Sequence, residues 1–221
     1  MYKQLRRDNV IKQKNNGVKN IIFEHVRDNI KEYFIISIVF IIGIILGVIL
    51  INNLEQDQQE EISLYISNFI NDVKENKSIN MINLFKKTAI NNITLAILLW
   101  FVSSTVIGIP IVYAIIVFRG FSLGYTISSI IATVGTMKGI LFSIFGTLLQ
   151  NIIFIPAVFI LAVSGIKLYK SIMKDKRKEN IKIEIIKFTL ITLFIIIALI
   201  ISAIIETYIS ANMLMLYVQK I

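Results

Sequence analysis

The chain of 221 residues has no cysteine, one histidine, one tryptophan and two prolines. Without cysteine there is no disulfide framework and no thiol nucleophile. With His25 as the one imidazole, a zinc site built from the usual nitrogen and sulfur ligands is all but excluded. No phosphate-binding loop, nucleophile elbow or metal-ligand cluster occurs. Catalytic residues, a bound cofactor and a metal are therefore not expected, and the chain reads as a non-enzyme.

Charge is also scarce over long tracts. Apolar residues make up 56% of the chain, above the ~45–50% usual for a soluble domain, and the mean hydropathy is +0.75. The formal net charge is +9, but the basic residues flank apolar runs and do not line a folded surface. That distribution argues against a nucleic-acid partner. It points to an all-α, polytopic membrane helical bundle forming one membrane domain in the lipid bilayer.

A ~30 Å hydrocarbon core takes about 20 apolar helical residues. About five stretches qualify: 33–51, 93–118, 121–137, 139–166 and 188–206. The runs are solidly apolar, so they are not the alternating strands of a barrel. Arg119 and Gly120 are read as the interruption between the second and third spans. Only Gly135, Lys138 and Gly139 mark a turn between the third and fourth. Two full spans with a tight connection are favoured there over a re-entrant pair.

Loop lysines and arginines set orientation. Segment 1–32, loop 167–187 and Arg119 share one side in a five-span count, with 17 basic residues against six on the other. This places the N-terminus in the cytoplasm and the C-terminal extension, 207–221, outside. The long polar lead is not that of a cleaved signal peptide.

Two extramembrane pieces look amphipathic. Val18, Ile22, Val26 and Ile30 recur at helical spacing, as a surface helix or as an extension of the first span. His25 inside it reads as solvated or interfacial. The extracytoplasmic loop 52–92 carries Ile62, Tyr65, Ile66, Phe69 and Ile70 on one helical face beside Glu60, Glu61 and Asp72. That face rests on the bundle, which is the favoured reading, dips into the membrane interface or meets an extracytoplasmic partner.

Inside the membrane, polar groups are few. Glu206 is expected near the outer interface. Gln150 and Asn151 lie close to Pro156, which removes a backbone donor. Interhelical hydrogen bonding is the favoured role for these amides, and a transport path the alternative. Gly43 with Gly47, and Gly120 with Gly124, form G-x-x-x-G patterns. They suit close helix packing, in a tight bundle or a homo-oligomer.

Four segments share a further property. Residues 91–110 (NNITLAILLWFVSSTVIGIP), 118–131 (FRGFSLGYTISSII), 148–166 (LLQNIIFIPAVFILAVSGI) and 203–210 (AIIETYIS) resemble, in order and spacing, the stage II sporulation protein M family. Asn91, Asn92, Gly120, Gly124, Gln150, Asn151, Pro156 and Glu206 stand where that family's recurring residues fall. The broader family often has a histidine–glycine pair and an acid in the fourth span, where this chain has Gln150, Asn151 and Phe154. That departure fits the sporulation branch. The resemblance implies a scaffold for forespore engulfment, in the mother-cell membrane at the septum. It implies two bitopic partners with cell-wall-degrading domains, an amidase–endopeptidase and a lytic transglycosylase. The rival from another class is a transport component, either a permease-like subunit or a small channel.

Overall fold

The computed structural model describes residues 18–75, 80–105, 107–174 and 181–219. Within them every element is helical, and the chain is a polytopic helical bundle. The basic stretch before Val18 and the centre of the second basic loop lie outside the described residues. The chain forms two compact units, residues 1–35 and 36–221.

The first unit contains α1, Val18–Asp28, and the start of α2, Ile30–Asn52. Asn29 separates them by a single residue. Its side-chain amide donates to the His25 carbonyl at 2.7 Å, and its own carbonyl accepts from the Tyr33 amide at 3.1 Å. His25 Nδ1 lies 3.1 Å from the Tyr33 hydroxyl, with the two rings edge to face. The amphipathic segment is thus a helix of its own that stops one residue short of the first span.

In the second unit, α3 (Gln56–Lys74) follows α2 after a short turn. Gln58 reaches back to the Glu55 amide at 3.3 Å, capping a donor that the first helical turn leaves unpaired. The apolar face expected on this helix does rest on the bundle. Val73 is buried with Ile130, Phe142, Leu214 and Val218, and Ile66 and Ile70 pack against the same cluster. Phe69 meets Phe142 edge to face.

Next comes α4, Met81–Ser103, started by the Asn80 side chain, which accepts from the Asn83 amide at 3.0 Å. Its buried residues Thr88, Asn92, Leu95, Ala96, Leu99 and Ser103 recur at helical spacing, and that stripe faces α7 (Leu149–Lys174) and α8 (Ile181–Ile204). Among the described residues four helical tracts are long and apolar enough to cross a membrane: Ile30–Asn52, Gly108–Val134, Thr136–Met173 and Ile181–Val218. Helix α4 has comparable length but carries Lys86, Lys87, Asn91 and Asn92 in its first half.

One expected boundary moves. The interruption placed at Arg119 and Gly120 is not there, because α5 runs unbroken from Gly108 to Val134. The helix breaks at Ser104 and Thr105 instead. Ser104, Thr105 and Gly108 amides close short turns onto Phe101, Val102 and Thr105 carbonyls, and the Thr105 hydroxyl donates to the Val102 carbonyl at 2.7 Å. Pro110 falls in the first turn of α5, where a missing N–H costs nothing. The stretches drawn as 93–118 and 121–137 are therefore redivided: α5 is one of the four candidate spans, and α4 is not among them.

The connection from α5 to α6 (Thr136–Ser143) is a single residue, Gly135, at φ +90°. Only glycine takes that conformation without steric cost. The expected tight turn is present. Helix α6 continues through a π-helical stretch, Ile144–Leu148, into α7. From Ala157 to Leu168 most of α7 is buried, Phe159, Ile160 and Lys167 excepted, as in a helix surrounded by others. Helix α8 likewise passes through a π-helical stretch, Ile205–Ser210, into α9 (Ala211–Val218). The two π stretches lie against each other.

Candidate functional site

The two glycine patterns are each other's partners. A Cβ on Gly43 would strike the Val117 carbonyl, one on Gly47 the backbone from Phe121 to Tyr125, and one on Gly120 or Gly124 the backbone of Phe40 or Ile44. Lipid tails are as apolar as side chains, so helices in a bilayer associate by close backbone contact. Both small-residue faces expected to serve packing are consumed between α2 and α5 of the same chain.

This contact holds α2 and α5 around one side of a cavity of about 230 Å³. Its lining is polar. Helix α4 contributes Thr88, Asn91 and Asn92; α5 contributes Arg119, Ser122 and Thr126; α7 contributes Gln150, Asn151 and Phe154; the second π stretch contributes Glu206. Phe40 of α2 closes one wall and stacks edge to face on Phe159.

Arg119 lies eleven residues into α5, about 17 Å along its axis at 1.5 Å per residue. That is the middle of a span, not a loop. Its guanidinium sits 5.1 Å from the centre of the Phe154 ring, in the range of a cation–π contact. Glu206, expected as a hydrated interface residue, is instead partly buried in the cavity wall. It accepts a hydrogen bond from the Thr88 hydroxyl. With the Gln150 amide turned to satisfy both groups, its nitrogen donates to Glu206 Oε1 at 3.1 Å and also to Oε2. Arg119 and Glu206 face one cavity without forming a direct ion pair. Arg119, expected in a connection, and Glu206, expected at the outer interface, thus both line this cavity.

The remaining amides divide between roles. Asn92 is glue: it is buried and its side chain donates to the Leu199 carbonyl of α8 at 3.2 Å. The Asn151 side chain donates to the Thr147 carbonyl of the first π stretch at 2.8 Å while lining the cavity. The Gln150 carbonyl accepts from Ser202 at 3.1 Å. Pro156 does not belong to the site. It sits on an exposed face of α7, as does Ile152, whose carbonyl the proline leaves without a donor.

Both π stretches meet the cavity, through Thr147 and Glu206. A π bulge shifts side-chain register by one residue and is common where a helix must aim a functional group. Here the second bulge carries Glu206. Beside it Thr207 and Ser210 bury hydroxyls that have no hydrogen-bond partner among the described residues. Arg119, Thr88 and Phe154 were absent from the expected site. The available signal was helical spacing: Arg119, Ser122 and Thr126 share one face of α5, and Thr88, Asn91 and Asn92 share one of α4.

Of the extracytoplasmic candidates, Ile66 and Ile70 pack on the bundle. Tyr65 remains 77% exposed and its neighbour Leu64 63%. Ile62, Tyr65 and Phe69 line a broad groove between α3 and the bundle.

Comparison with protein families matches residues 36–211 to the model described as SpoIIM, Stage II sporulation protein M. No curated protein and no solved structure matches the chain.

Proposed function

Because the chain belongs to the stage II sporulation protein M family, and so is a sporulation-related multi-pass membrane protein, we propose that it is a non-enzymatic scaffold for forespore engulfment. In this reading it sits in the mother-cell membrane at the septum, with its N-terminus in the cytoplasm. It localises bitopic cell-wall hydrolases, an amidase–endopeptidase and a lytic transglycosylase. Family membership carries the proposal. The α3 helix supports it: one side is spent on the bundle, and Leu64 and Tyr65 stay exposed beside Glu60 and Glu61.

Deleting α3 would strip Val73, Ile66 and Ile70 from a buried cluster and confuse folding with recruitment. The cleaner test is the double substitution Leu64→Asp with Tyr65→Asp, at positions that touch little. Septal recruitment of the hydrolases should fall while membrane insertion of the scaffold stays normal. Unchanged recruitment rules out this face as the docking surface.

A second reading, a transport component, is favoured by one observation: Arg119 and Glu206 line a polar cavity at span depth. Ionisable groups there mark substrate or ion pathways in many membrane proteins. The chain has no cysteine of its own, so single cysteines at Gln150 and Asn151 report water access directly. Labelling of both from one aqueous side supports transport. Protection of both supports packing.

A further inference from the structure

The polar cavity does not stand alone. An apolar cleft of about 630 Å³ runs between α4 and α5, lined by Thr94, Leu95, Leu98, Ala114, Ile115 and Phe118. Two further residues, Asn91 and Arg119, line both spaces. Phe118 is 65% exposed and Leu98 45%, on a surface that faces lipid in a membrane-spanning bundle. The cleft therefore opens sideways into the acyl-chain region, and Asn91 and Arg119 form the boundary it shares with the polar cavity. Beyond that lies the cavity holding Glu206.

From this we infer that the two spaces together form a binding site for a zwitterionic amphiphile, a lipid with a phosphoethanolamine-type head. Three features of the structure fit that class. The cavity presents one cation and one anion that do not pair with each other, so a head with both charges is matched where an anion alone meets Glu206. A buried charge is costly unless it is compensated, and such a head compensates Arg119 through its phosphate and Glu206 through its ammonium. The neutral amides of Asn91 and Asn151 add donors and acceptors beside them. The cleft then takes an acyl chain entering from the bilayer. This site is independent of the scaffold reading. It shares its cavity with the transport reading, which calls for a small solute and has no use for the cleft.

The test uses the purified full chain in maltoside micelles, with ligand retention read by native mass spectrometry. Three probes are compared: a phosphatidylethanolamine, the chain-matched phosphatidylglycerol, and tail-less phosphoethanolamine. The expected result is retention of phosphatidylethanolamine roughly tenfold better than phosphatidylglycerol, with no retention of the free head. Glu206→Gln should abolish the preference between the two lipids. Equal retention of both lipids by the native chain overturns the inference, and so does a preference that survives Glu206→Gln. Retention of phosphoethanolamine as strong as that of the lipid also overturns it, in favour of a small-solute site. Should Glu206→Gln fail to fold, Ala114→Phe carries the test. It fills the cleft from an exposed position, so the folded variant should lose lipid retention with an unchanged melting temperature. Undiminished retention by that variant overturns the inference as well.

Discussion

Gln150 and Glu206 come from different helices and meet where two π-helical stretches touch, the amide nitrogen donating to Oε1 at 3.1 Å. The contact fixes a carboxylate inside the bundle, across a cavity from the guanidinium of Arg119. A hydrogen bond to a charged group contributes ~1.5–3 kcal/mol where it is well formed. A double-mutant cycle between Gln150→Leu and Glu206→Leu should therefore show coupling of about 1 kcal/mol or more in thermal or chemical unfolding. Additive effects would mean that the two residues do not interact.

The paired glycines make a second prediction. Gly43→Leu or Gly124→Leu inserts a side chain against the facing helix backbone, and overpacking of this kind costs ~1–3 kcal/mol, more where backbone must separate. Each variant should melt well below the native chain. Gly146→Ala is the control: the nearest atoms to its added methyl belong to the Leu214 side chain, at 3.4 Å or more, and the melting temperature should barely change.

Buried Asn92 donates to a carbonyl on α8. Interhelical hydrogen bonds in membranes contribute on the order of 1 kcal/mol, so Asn92→Leu should lower stability by about that much. A loss well above 3 kcal/mol would assign Asn92 a larger part than glue.

The break between α4 and α5 has a direct chemical test, because the chain carries no cysteine. A cysteine at Ser104 should react with a membrane-impermeant maleimide, and one at Phe118 should not. With the N-terminus in the cytoplasm and α4 crossing as a fifth span, Ser104 labels from the cytoplasmic side. Reaction at Phe118 but not at Ser104 would restore the boundary at Arg119 and Gly120.

That boundary shows where residues speak for themselves and where they do not. The helical class, the α3 face from Ile62 to Ile70, the turn at Gly135 and the two glycine patterns were all legible, because each rests on local spacing or on one conformational requirement. Arg119 reads as a connection in the sequence because a lone charge between apolar runs looks like a loop. The real break, at Ser104 and Thr105, carries no charge, so hydropathy passes through it unmarked. Pro110 in the first turn of α5 was the clue to a new helix. Hydropathy sets Glu206 at the interface because the fifth apolar run ends there. The π stretch and the apolar residues of α9 carry the helix past it, and that places the carboxylate in the bundle. The juxtaposition of Arg119 with Glu206 depends on how α5 packs beside α7 and the second π stretch and has no local signature.

The central claim, that this membrane protein is a scaffold for cell-wall hydrolases, is tested most directly by affinity purification of the tagged chain from sporulating cells, with co-purifying proteins identified by mass spectrometry. The scaffold account expects bitopic peptidoglycan-degrading enzymes to co-purify, and to diminish when Leu64 and Tyr65 are replaced by aspartate. Recovery of transporter ATPase subunits without any cell-wall hydrolase would contradict it.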